Sequence, residues 1–246
     1  MNSAKLKVAL VTGASRGIGA AIATRLAKDG YAVAINFAGK SAEADAVAKK
    51  IQNAGGKAMT VQADVSNFKA VTHMWDDVDA AFGGIDVLVN NAGIMRLATI
   101  ADGDDALIDS HLAINLKGTL NTLRLAASRL SNGGRIVNLS SSVVGLNMPS
   151  YAVYTATKAG VESLTRVLSK ELRGKNITVN AVAPGPTATA LFLDGKSQET
   201  IDHLAKMNPL ERLGTPEDIA AAVAFLAGPD GGWVNGQVLR ANGGMI

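Results

Sequence analysis

The sequence predicts an α/β fold: one doubly wound parallel sheet of about seven strands with helices on both faces. Three observations carry this. Short β-favouring apolar runs alternate with helical stretches along the whole chain, the pattern of right-handed βαβ crossovers. The first run, Val8 to Val11, is unbroken, as a strand buried on both faces requires. It passes directly into Gly13, Gly17 and Gly19 and then a helix through Ala27, an arrangement whose bare amides and helix dipole suit an anion.

The remaining elements follow in order. Ala32 to Phe37 reads as strand two, and Ser41 caps a helix through Ala54 that Gly55-Gly56 ends. Ala58 to Ala63 is strand three, Asn67 to Phe82 a helix, and Ile85 to Asn90 strand four. One long helical region covers Asp104 to Leu130, followed by strand five, Arg135 to Ser140. Helix Tyr151 to Arg173 leads to strand Ile177 to Val182, closed by Pro184-Gly185-Pro186. A loop-like stretch at about 187–213, helix Pro216 to Leu226 and a strand near Gln237 to Arg240 complete the chain. No linker, repeat or low-complexity segment divides it, so residues 1–246 are expected to form a single domain. In such a sheet the ligand lies beyond the carboxyl ends of the strands, which gathers Gly13, Asn36, Asp64, Asn90, Ser140-Ser141 and Pro184-Gly185 along one edge.

Composition narrows the function. Hydrophobic residues make up 48% of the 246 and charged ones 18%, which fits a compact core. The net charge of +3 is spread without a basic run, so no nucleic-acid partner is implied. With no cysteine there is neither disulfide nor thiolate chemistry. No stretch approaches the roughly 18 apolar residues of a membrane span, and the start lacks a signal-peptide pattern; a cytoplasmic protein is expected. His73, His111 and His203 have no metal-ligand spacing and are expected on helix surfaces, with no metal site.

The glycine turn, Gly13-Ala14-Ser15-Arg16-Gly17-Ile18-Gly19, departs from the usual dinucleotide spacing G-x-G-x-x-G. In NAD-binding folds an acidic residue about 20 positions on binds the ribose 2′-hydroxyl. Asn36 stands 23 residues after Gly13 in that place. A carboxylate would repel a 2′-phosphate and Asn does not, while Arg16, Lys40 and Ser41 can supply charge and donors. NADP(H) is therefore the expected cofactor, with NAD(H) as the other option.

Tyr154 and Lys158, four apart, share a helix face. At about 4 Å and an effective dielectric near 20, an ammonium would attract a phenolate by roughly 4 kcal/mol. That is enough to bring a Tyr from about 10 towards 7, where general acid–base work is efficient. Ser140-Ser141-Ser142 end strand five at the binding edge, where a hydroxyl could polarise a carbonyl oxygen.

These motifs together resemble the short-chain dehydrogenase/reductase family over nearly the whole length: Thr12-Gly13-x3-Gly17-x-Gly19, Asp64-Val65, Asn90-Asn91-Ala92-Gly93, Asn115, Ser141, Tyr154-x3-Lys158, Pro184-Gly185 and Asn242-Gly243-Gly244. The resemblance implies a Rossmann sheet of order 3-2-1-4-5-6-7 and hydride transfer between nicotinamide and a carbonyl or alcohol. It implies Tyr154 as proton donor, Lys158 on the nicotinamide ribose, Ser141 orienting the carbonyl (Ser142 being the alternative), and Asn115 holding a relay water. Asp64 would accept from the adenine amino group with Val65 against the ring, and Asn91-Ala92-Gly93 would border the adenosine ribose. Pro184-Gly185 would lie on the nicotinamide side, where Thr187 could donate to the carboxamide or a phosphate. Tyr151, without a lysine four residues on, is expected as a pocket-wall or helix-start residue rather than an acid. The nearest broad resemblance is to 3-oxoacyl-[acyl-carrier-protein] reductases. Specificity is expected in Ile94-Met95-Arg96, Val143 to Val153 and the lid-like Thr187 to Pro209, with Ala190 to Leu193 as an apolar wall and a small or medium apolar carbonyl compound as substrate. Arg129, Arg173 and Lys175 could meet an acyl-carrier partner. A homotetramer through the two long helices is implied; a non-catalytic dinucleotide sensor or scaffold is the contrasting class.

Overall fold

The computed structural model describes residues 6–246. Seven parallel strands form one sheet: β1 (Val8–Val11), β2 (Ala32–Phe37), β3 (Lys57–Gln62), β4 (Val87–Asn90), β5 (Arg135–Leu139), β6 (Thr178–Pro184) and β7 (Val238–Ala241). Their order is β3-β2-β1-β4-β5-β6-β7, as the family resemblance implied. The helices are α1 (Gly17–Lys28), α2 (Ser41–Asn53), α3 (Phe68–Phe82), α4 (Asp105–His111), α5 (Gly118–Arg129), α6 (Val143–Leu146), α7 (Ala152–Glu171), α8 (Ala190–Leu193), α9 (Gln198–Lys206) and α10 (Pro216–Ala227).

β1 shows how the layers arise. Ala9 and Val11 point into a core with Ile22 and Leu26 of α1, Ile51 of α2 and Val223 of α10. Val8 and Leu10 point the other way, against Trp75 of α3, Leu123 of α5 and Leu168 of α7. Alternate residues thus feed opposite cores, which is why the strand reads as continuously apolar. α10 begins with a capping box: the Thr215 hydroxyl accepts from the Asp218 N–H while the Asp218 carboxylate accepts from the Thr215 N–H.

Two regions depart from the expected pattern. The helical stretch expected at Asp104 to Leu130 is interrupted by a π-helical segment, Leu112–Lys117, between α4 and α5. Such a segment leaves the apolar periodicity nearly intact, so it is invisible in the sequence, and it is often tied to function. The stretch after β6 contains two helices, α8 and α9, begun by the hydroxyl caps of Thr189 and Ser197. Both are too short for their periodicity to stand out.

Candidate active site

A cavity of about 550 Å³ follows the carboxyl ends of the strands, from Ala38, Gly39 and Lys40 beyond β2 to Tyr154, Leu191 and Phe192. Nearly all the site residues expected from sequence line it; Ser41 and Asn115 stand outside the lining.

At its centre is the β1–α1 turn. Gly13 has φ +60° and a Cβ there would lie 2.8 Å from Ala92 Cα; at Gly19 a Cβ would lie 2.5 Å from the Gly13 carbonyl oxygen. The glycines are thus dictated by backbone packed on backbone. The N-terminus of α1 has no side-chain cap and no acid in its first turn, in contrast to α10. Its first amides lack intrahelical acceptors and face the cavity through Gly17, Ile18 and Gly19, beside the exposed Arg16. These bare amides and the Cβ-free floor fit a dinucleotide's phosphates. Asn91 secures the turn by donating from Nδ2 to the Thr12 and Gly13 carbonyls, each at 2.9 Å.

Asn36 requires a correction. Although it lines the cavity, its amide is turned into the protein: Oδ1 accepts from the Gly13 N–H at 3.2 Å, and Nδ2 donates to the Ala63 carbonyl at 3.1 Å and to that of Val61. It stitches the glycine turn to β3 and offers no donor to a ligand. Ser41 starts α2 with Lys40 at the cap position, and Lys40 itself forms an exposed pair with Glu43 at 3.0 Å. Arg16, exposed, lines the cavity beside the turn. Asp64, exposed just beyond β3, accepts from the Ser66 N–H and hydroxyl, and Val65 is buried beside it.

At the reactive end, the three serines have separate duties. Ser140 Oγ donates to Glu162 at 2.8 Å. Ser142, buried, donates to the Ala183 carbonyl and accepts from Asn242 Nδ2 at 3.0 Å. Ser141 Oγ accepts from the Val143 N–H at 3.4 Å and lines the cavity together with Tyr154, whose phenol it draws down against burial. Lys158 is buried and donates to the Leu139 carbonyl at 2.8 Å, with its ammonium 5.7 Å from the centroid of the Tyr154 ring.

The electrostatic expectation for Tyr154 is overturned. Burial pushes its phenol up to about 12, against the opposing hydrogen bond from Ser141 and aided by the neighbouring Tyr151. Burial likewise brings Lys158 down to about 8. Burial sets the direction of both shifts.

Asn115 sits in the π segment, buried, and its amide clamps Ile94: Oδ1 accepts from the Ile94 N–H at 2.8 Å and Nδ2 donates to the Ile94 carbonyl at 2.9 Å. Nδ2 also reaches Thr157, which leaves one Oδ1 lone pair for the relay water expected there. A methyl at Gly93 would touch both that Oδ1, at 3.2 Å, and Lys158 Nζ, at 3.7 Å. Thr187 is buried with its hydroxyl donating to the Gly185 carbonyl, so the proton expected for a carboxamide is already engaged. Sequence reasoning passed over Thr189, the α8 cap, whose methyl would lie 3.6 Å from a Cβ at Gly17, lid against phosphate turn. The signal was a Thr just ahead of a short apolar run. It also misplaced His111, which is fully buried rather than superficial and meets the Tyr154 ring edge-on at 6.3 Å.

The family model described as Enoyl-(Acyl carrier protein) reductase matches residues 13–246. A "Short-chain type dehydrogenase/reductase" of Picea abies is 45% identical over 98% of this chain and 92% of its own length. The chain belongs to the short-chain dehydrogenase/reductase family. Among other relatives of this family member, an "NADPH-dependent aldehyde reductase-like protein, chloroplastic" of Arabidopsis thaliana is 42% identical, over 98% of this chain and 94% of its own. A "3-oxoacyl-[acyl-carrier-protein] reductase FabG" of Staphylococcus aureus is 43% identical, over 97% and 98%. A solved short-chain dehydrogenase from Burkholderia cenocepacia in complex with NADP superposes on this family member with a TM-score of 0.92 at 39% identity, covering 97% of each chain. No helix among the described residues is long and apolar enough to cross a membrane.

Proposed function

We propose that this oxidoreductase reduces small or medium apolar aldehydes and ketones with NADPH, and oxidises the corresponding alcohols in reverse. The observation that carries the reading is Ser141 and Tyr154 lining one cavity, walled by Leu146, Met148, Leu191 and Phe192. Arg16, with no carboxylate at the end of β2, favours NADP(H) over NAD(H), and the NADP named for the Burkholderia structure and the NADPH named for the Arabidopsis relative support it.

In this reading Gly13 to Gly19 hold the pyrophosphate, Asp64 and Val65 the adenine, Asn91 to Gly93 the adenosine ribose, and Pro184, Gly185 and Thr187 border the nicotinamide. The cofactor supplies the hydride. Ser141 orients the carbonyl oxygen and Tyr154 gives it a proton, so that C=O, hydride and proton become CH–OH. A phenol held near 12 arrives protonated at neutral pH, the form reduction consumes. Lys158, at about 8, remains mostly charged there and stabilises the phenolate left behind, and Asn115 leads the returning proton through water.

A 3-oxoacyl-[acyl-carrier-protein] substrate is the second reading, favoured by the Staphylococcus relative. Two of the cations that could meet an acidic carrier are already engaged: Arg129 with Asp76 and Asp79, and Lys175 with the Ala127 carbonyl. Residues 187–213 serve as the substrate loop of a single domain. Exposed Leu112, Leu120 and Val167, on the π segment, α5 and α7, suit a homotetramer, with the cytoplasm as place of action. An NADPH-oxidation screen of apolar aldehydes and ketones against 3-oxoacyl carrier substrates tests the reading. Faster turnover of the carrier substrates overturns the first in favour of the second, and no turnover of either, with NADPH still bound, points to a sensor.

A further inference from the structure

His111 has no part in the mechanism above, yet it is fully buried beside the proton donor. Its Nε2 lies 3.1 Å from the Arg96 N–H, which can only donate, so Nε2 carries a lone pair. Its Nδ1 lies 2.8 Å from the Leu107 carbonyl, which can only accept, so Nδ1 carries the hydrogen. The two partners fix a neutral imidazole in one tautomer and one orientation. The ring so fixed meets that of Tyr154 at 78°, an edge contact.

The Arg96 bond belongs to a series. Residues 91–99 have no regular secondary structure, yet alternate amides are tied down: Ile94 by Asn115, Arg96 by His111, and Ala98 by the Ser150 carbonyl. His111 and Asn115 are one turn apart on α4 and the π segment. Ile94, the first tied residue, and Met95, between it and the second, wall the cavity.

We propose that His111 is a positioning residue with two separable effects. Its Nε2 sets the substrate wall at Ile94–Met95, and its ring edge sets the angle at which Tyr154 presents its hydroxyl. This rests on Tyr154 being the proton donor proposed above.

Two substitutions divide the effects. His111→Phe keeps an aromatic edge for Tyr154 and removes the acceptor. His111→Gln keeps an acceptor and removes the ring. With a bulky apolar ketone, H111F should raise KM about tenfold with kcat nearly unchanged, and H111Q should lower kcat about tenfold with KM nearly unchanged, since small misplacements of reacting groups cost this much or more. NADPH affinity, read by fluorescence titration, should be the same in both. Two measurements need no turnover. Nitrogen-15 NMR of the three histidines should show one Nδ1–H tautomer, absent from H111F, and hydrogen exchange of the Arg96 amide should accelerate in H111F but not in H111Q. An Nε2–H tautomer, unchanged Arg96 exchange in H111F, or equal losses of kcat and KM quality in both variants in step with lowered Tm would overturn the proposal. A wild-type protein that turns over no carbonyl substrate while showing the Nδ1–H tautomer and Arg96 protection overturns the functional reading and the Tyr154 half of this proposal, and leaves the anchoring of the wall supported.

Discussion

The Lys158 ammonium donates to the Leu139 carbonyl at 2.8 Å, so the end of β5 holds a cation inside the protein. Burial lowers this lysine from the ordinary 10.5 to about 8. A displacement of this size amounts to about 3 kcal/mol of penalty on the charged form. Because the folded value lies below the unfolded one, the penalty is complete below about pH 8 and is relieved as pH rises towards 10.5. Lys158→Met should abolish turnover yet melt higher than wild type at pH 7, by about 2 kcal/mol once the lost hydrogen bond is counted. Calorimetry at pH 7 and 10 checks this; the gain should shrink at the higher pH.

Tyr154, pushed up to about 12, gives the two directions opposite pH profiles. Reduction should be level through neutrality and decline above about pH 8, where Lys158 loses its proton. Alcohol oxidation, which needs a proton acceptor, should climb with pH. Initial rates in both directions read this directly, and Tyr154→Phe should silence both while NADPH still binds.

Gly19→Ala should damage the cofactor turn, because a Cβ there meets the Gly13 carbonyl at 2.5 Å. We expect a stability loss of about 1–3 kcal/mol, typical of overpacking. NADPH affinity should fall with it, as isothermal titration will show.

Arg16→Ala should weaken NADPH by about 1.5–3 kcal/mol, the worth of a hydrogen bond to a charged group, and leave NADH nearly untouched. Equal losses for the two cofactors would place the 2′-phosphate elsewhere.

Thr215→Ala removes the side-chain half of the capping box at α10, away from the cavity lining. It should cost about 1 kcal/mol in denaturant unfolding with kcat unchanged.

Much of this was legible in the sequence, for identifiable reasons. The alternation of strands and helices and the glycine turn follow from local signals, apolar runs and residues that alone fit a backbone contact, while the strand order came with the family resemblance. Tyr154 and Lys158 were legible because helical spacing puts them together. What the sequence concealed depends on where side chains turn. Asn36 has the right position for a ribose ligand, but its amide finds better partners in the Gly13 N–H and the Ala63 carbonyl. His111 looks like any polar residue on an amphipathic helix until the segment carrying Arg96 folds over it. The phenol–ammonium balance could not be read from spacing, since burial sets it.

The bond from Asn242 to Ser142 spans 100 residues. Ser142 stands next to the serine that addresses Tyr154, so the geometry of the reactive end depends on a residue that follows β7. The side-chain hydrogen bonds that hold the glycine turn, by contrast, come from Asn36 and Asn91, nearer in the chain. The contact that sets Ser142 thus closes a longer stretch of chain than the bonds Asn91 makes to the glycine turn, 100 residues against 79.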